Sequence, residues 1–143
     1  MKINISTVII FMSLLAIKPC LIYAQEKPED ITGHFFELFQ ANGSDAAFDY
    51  IFGTNKWINK QLQESNKVKV KEILPMMGQY YGYELIEKKV ISESYVVMIF
   101  MLKFDRQPTK FSFSLYKPKE NWQLIEFKTA DFRAQDDEAG KKN

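Results

Sequence analysis

Residues 95–117 read YVVMIFMLKFDRQPTKFSFSLYK, and the fold turns on their two halves. From Thr109 to Lys117 the pattern alternates. Phe111, Phe113 and Leu115 fall on one face and Lys110, Ser112 and Ser114 on the other, the period-two signature of a half-buried strand. From Tyr95 to Asp105 the chain is apolar almost throughout. Gln107-Pro108 turns the chain between the two. One more strand is predicted on each side. Tyr81 to Ile91 precedes the turn Ser92-Glu93-Ser94, and Trp122 to Lys128 follows the loop Pro118-Lys119-Glu120-Asn121. Connections this short between consecutive strands predict an antiparallel meander.

Upstream the period changes to that of helices. Pro28, Glu29 and Asp30 suit a first helical turn, since proline is tolerated there and acids favour the positive end of the dipole. Ile31, Phe35, Leu38 and Phe39 recur at helical spacing, and Asn42-Gly43 ends the run. Ser44 reads as the N-cap of a second helix, Asp45 to Phe52, closed by Gly53. A third helical stretch is predicted from near Thr54, carrying Trp57, Ile58 and Leu62. It either runs on through Val68, Ile73 and Leu74 or breaks at Ser65-Asn66, and Pro75 and Gly78 mark its latest end. Helices first and strands after give an α+β domain, with N-terminal helices packed over one face of a four-stranded antiparallel sheet.

The first residues have a different logic. Lys2 supplies a positive charge, Ile5 to Ile17 (ISTVIIFMSLLAI) an apolar stretch, and Ala24 a small residue before Gln25. That is the layout of a secretory signal peptide over residues 1–24, and it implies export to the periplasm or medium. The apolar run is roughly 13 residues, short of the ~20 that cross a bilayer. Lys18 and Pro19 before Cys20 also lack the small residues that a lipid-modified cysteine wants. The domain proper is then 25–132, followed by a polar tail over 133–143 that reads as disordered.

Removing residues 1–24 takes away Lys2 and Lys18, so the net charge passes from +1 to −1. A near-neutral chain offers no electrostatic footprint for nucleic acid. Cys20, the one cysteine, goes with the signal, so no disulfide is expected and stability rests on the core. One histidine and scattered acids make no metal-ligand set, and no cofactor is expected.

Three sequence segments carry a resemblance. Met76-Met77-Gly78-Gln79-Tyr80-Tyr81-Gly82 marks the junction from helix to strand. Phe104-Asp105-Arg106-Gln107-Pro108 leads into Phe111-Ser112-Phe113. Leu115-Tyr116-Lys117-Pro118 is followed by Trp122. With three helices ahead of the sheet, the chain resembles small exported bacterial members of the NTF2-like, cystatin-like α+β cone superfamily. The resemblance implies a curved sheet, a cone whose open end often holds a pocket, and frequent pairing as dimers. Some members are enzymes and many only bind, so the fold does not give the function.

If such a pocket exists, its expected wall is His34, Tyr81, Phe100, Phe113 and Trp122, an aromatic cup suited to a small hydrophobic ligand. The residues by themselves favour a plain aromatic core. His34 could serve as an acid or base with Glu37 beside it on the helix, but a structural role suits it better. The expected function is therefore non-catalytic binding of a small hydrophobic ligand or a protein partner. The alternative is an isomerase-, dehydratase- or hydrolase-like enzyme using the same cone. No membrane association is expected once the signal is gone.

The apolar strand adds one more expectation. Val96, Met98, Phe100, Leu102 and Phe104 form a face that the helices can cover. Tyr95, Val97, Ile99 and Met101 form a second apolar face where a half-exposed strand would be polar. Burying each is worth roughly 1.5–3 kcal/mol, so a homodimer packed sheet on sheet through these four is expected.

Overall fold

The structure is a computed structural model and describes residues 26–131. The expected signal segment and the polar tail lie outside them, as does Cys20. Helix α1 spans Pro28–Asn42, α2 Ser44–Gly53 and α3 Lys60–Met77; strands β1 Tyr80–Ser92, β2 Tyr95–Phe104, β3 Thr109–Tyr116 and β4 Gln123–Asp131 follow. The strands pair antiparallel in the order β1-β2-β3-β4, an open sheet with the helices packed against it, so the fold is α+β.

The core is built from phenylalanine. Phe35 of α1 lies 5.1 Å from Phe36, 5.3 Å from Phe48 of α2 and 5.1 Å from Phe113 of β3, mostly edge to face. Phe127 of β4 closes the group at 5.0 Å from Phe111. Offset and T-shaped ring pairs are the favoured arrangements, so these contacts add specificity to the burial. The inward face of β2, Val96 to Leu102, and that of β3, Phe111 to Leu115, complete it. No helix among the described residues is long and apolar enough to cross a membrane.

Two sequence expectations need correction. Ser44 is not the N-cap of α2. Gly43 holds that position at φ 86, ψ 176, a backbone conformation other side chains avoid, and no side chain caps the helix. Thr54 to Asn59 are not helical, so Trp57 and Ile58 belong to a loop. The third helix begins at Lys60, where Asn59 accepts a hydrogen bond from the Gln61 backbone N–H at 2.8 Å. It then runs unbroken through Ser65-Asn66 with Pro75 in its last turn. Val70 and Met77 are its buried residues, and Lys67 and Lys71 tie it to Asp49 and Asp45 of α2 by ion pairs.

The segments 76–82 and 104–108 meet in space. The Asp105 carboxylate accepts the Gln79 backbone N–H at 2.9 Å and the Tyr81 hydroxyl at 2.5 Å. The backbone of Arg106 donates to the Met77 carbonyl, and its guanidinium to that of Met76, both at 3.1 Å. The β2–β3 turn thus caps α3, whose last carbonyls would otherwise lack donors. Gly78 (φ 87, ψ −153) fits between them, since a Cβ there would lie 2.9 Å from the Asp105 Cβ.

Candidate functional site

The loop between α2 and α3 is fixed by side chains that take over backbone partners. The Thr54 hydroxyl donates to the Ile51 carbonyl at 2.7 Å and accepts the Leu124 backbone N–H at 3.0 Å. The Asn55 amide uses both ends. Nδ2 donates to the Leu124 carbonyl at 2.7 Å, and Oδ1 accepts the Trp57 backbone N–H at 2.9 Å. Asn55 is 5% exposed, and buried polar groups satisfied at both ends rigidify their surroundings. Two consecutive residues therefore bolt this loop to the start of β4.

What the loop holds out is Trp57, 80% exposed. The Lys56 ammonium lies 5.0 Å from its ring centroid. Facing it is the β3–β4 loop, Pro118 to Asn121, and then Trp122, itself only 6% exposed. Lys117 lies 5.3 Å from the Trp122 ring, a cation over an indole face. Between the two loops runs an open cleft of about 680 Å³, lined also by Gly53, Thr54, Lys119 and Glu120. That volume falls within the range of ligand sites, roughly 300–1,000 Å³. Both tryptophans of the chain border it. Its charged lining is Lys56, Lys119 and Glu120.

The five residues expected to wall a pocket lie in different places. Phe100 and Phe113 are 5.8 Å apart, both inside the aromatic core. Trp122 closes the far end of that core and lines the cleft. His34 is on the surface of α1, with Nδ1 3.2 Å from Glu37 and its ring edge-on to Tyr50 at 4.5 Å. Tyr81 is exposed, and its hydroxyl serves the Asp105 cap. That bond pulls the Asp105 carboxyl below its ordinary value and pushes the Tyr81 phenol up. Tyr95, Val97, Ile99 and Met101 share the outward face of β2 and are half-buried, beside Ser112, Ser114 and Lys110 of β3.

Sequence pattern alone assigns Thr54, Asn55 and Trp57 to a helix and gives them no site role. The available signal is the pair Thr-Asn directly after Gly53, residues whose side chains compete with the helix for backbone partners. Among the described residues no group of three or more His, Cys, Asp or Glu is placed to hold a metal ion. In comparisons with known proteins, no family model, no curated protein sequence and no solved structure matched the chain.

Proposed function

We propose that this chain is an exported, non-catalytic domain that binds a protein partner through the Trp57–Trp122 cleft. One observation carries the reading: a tryptophan almost wholly exposed on a loop that a buried asparagine ties to β4 by hydrogen bonds at both ends of its amide. A large side chain left in water forgoes its burial energy, and a pre-ordered tryptophan is the residue type that most often anchors an interface. Rigidity matters because an anchor already in place costs little entropy on binding. Pro118 and the lysines at positions 56, 117 and 119 frame the contact.

The order of elements, helices and then an antiparallel meander, supports keeping the NTF2-like resemblance as the reading of the fold. The signal layout of residues 1–24 supports export. The enzyme alternative would rest on His34 and Glu37. Both are exposed, and neither lines the cleft.

Native mass spectrometry of the protein recovered from its own host, beside its Trp57→Ala variant, tests this. A bound protein present on the wild type and lost from an equally stable variant is expected. A partner retained by Trp57→Ala refutes the site, and a small-molecule adduct in its place refutes the protein-partner reading.

A further inference from the structure

Six of the twelve exposed large apolar side chains among the described residues lie on one strand, β1: Tyr81, Tyr83, Leu85, Ile86, Val90 and Ile91. This strand is also the end of the sheet. It pairs with β2 on one side, and none of its residues is buried. Thirteen residues of edge thus combine open backbone donors and acceptors with exposed apolar surface, the combination natural proteins either guard or use.

The faces of β1 follow from its partners. Tyr83 stacks on Phe36 of α1 at 3.9 Å and Lys88 pairs with Glu29, so both point toward the helices. Glu84 pairs with Lys103 at 3.0 Å and sits opposite Met101, while Lys89 sits opposite Val97, so both point outward. The pairing of β1 with β2 is irregular at three places, Tyr80/Gly82, Leu85/Glu87 and Val90/Ser92, and Ile86 is the extra residue of the middle one, inside the stretch 82–90. The bulge shifts the alternation by one, so Leu85 and Lys88 share the inward face, as do Tyr83 and Val90.

We infer that β1 is the interface of a homodimer, in which the edges of two copies pair antiparallel about a two-fold axis and the two sheets become one. Charge and register fit a second copy of this chain. When Glu84 of one copy lies opposite Lys89 of the other, Leu85 falls opposite Lys88 and Tyr83 opposite Val90, each of these three pairs on one face, and the bulge residue Ile86 meets Glu87 at the axis. The two-fold makes each contact twice, as a self-complementary interface requires. A slip of one residue sets inward side chains against outward ones. A slip of two residues in one direction sets Glu84 against Glu87, repulsive on both sides of the axis. The same slip in the other direction sets Glu87 against Lys88, which face opposite ways. The charges that guard the edge therefore also select one pairing, attractive in one register and repulsive in its neighbour. This inference is independent of the tryptophan cleft, and it moves the dimer contact from the outward face of β2 to the strand beside it.

Sedimentation velocity at micromolar concentration tests it, on protein produced from the full coding sequence. The wild type is expected to be a dimer. Lys89→Glu replaces two attractive pairs by two repulsive ones and is expected to weaken the dimer at least about tenfold. Glu84→Lys should do the same, and the double variant Glu84→Lys/Lys89→Glu should restore the dimer. Circular dichroism establishes that each variant is folded. Should Glu84→Lys not fold, Lys89→Glu decides the matter alone, since Lys89 is exposed on the strand. A monomeric wild type overturns the proposal, and so does a Lys89→Glu variant as dimeric as the wild type. A dimer broken by Val97→Lys and untouched by Lys89→Glu also overturns it, in favour of sheet-on-sheet packing.

Discussion

Replacing Asn55 by alanine separates the scaffold of the site from its contact surface. Asn55 makes two hydrogen bonds, 2.7 Å to the Leu124 carbonyl and 2.9 Å from the Trp57 N–H. Alanine leaves the Leu124 carbonyl without that donor in a buried position, at about 1–3 kcal/mol for a stranded polar group. The Trp57 N–H is only partly buried and can turn to water, which limits its loss to about 0.5–1.5 kcal/mol. Together the substitution should cost about 1.5–4.5 kcal/mol, a large part of a domain stability of about 5–15 kcal/mol. Trp57→Ala removes a far larger side chain, yet one in solvent, and should cost less than about 0.5 kcal/mol. Urea denaturation of both variants measures the difference. A loss below about 1 kcal/mol for Asn55→Ala, or an equal loss for Trp57→Ala, would refute this role of Asn55. Asn55→Asp extends the test. Its carboxylate would face the Leu124 carbonyl in a buried place, which raises the folded-state pKa above the unfolded value of about 3.9. The variant should therefore be most stable below pH 4, where the acid can donate a proton, and lose that stability as the pH rises through the folded pKa.

Gly78→Ala should destabilise by at least about 1–3 kcal/mol, because its backbone lies in a region open essentially to glycine and the new Cβ meets Asp105; a thermal midpoint equal to wild type would mean the α3 cap is not as described. Burial pushes the Tyr80 phenol up to about 12, and its oxygen has no hydrogen-bond partner among the described residues. Because the folded state favours the neutral phenol, its contribution is intact below pH 10 and lost as the pH rises toward 12; Tyr80→Phe should remove that loss from the alkaline stability profile. Intact mass of protein recovered from the periplasm or medium should show a chain beginning near Gln25, whereas full-length chain in the inner membrane would mean the segment is an anchor.

The architecture was legible because its signals are local. The alternation Phe111, Phe113, Leu115 and the glycines at 43 and 78 set strands and helix ends within one to three residues of where they lie. Trp57, Ile58 and Leu62 also carry helical spacing, yet Thr54 and Asn55 capture backbone groups for their own side chains and hold the chain out of the helix. The partner that makes this possible, Leu124, is 69 residues from Asn55, a relation no local pattern carries. The outward residues of β2 looked stranded by composition. In the sheet they are half-buried, and the larger exposure falls on β1. The motif Gly78 with Asp105 was visible as two separate segments, but its meaning lies in the 2.9 Å approach between them.

Hydroxyl-radical footprinting of the two tryptophans tests the central claim most directly. With the purified protein alone, Trp57 should oxidise readily and Trp122 hardly at all, in line with exposures of 80% and 6%. In concentrated extract of the host's exported proteins, Trp57 should become protected while Trp122 stays unchanged. Equal oxidation of Trp57 in buffer and in extract would contradict the account.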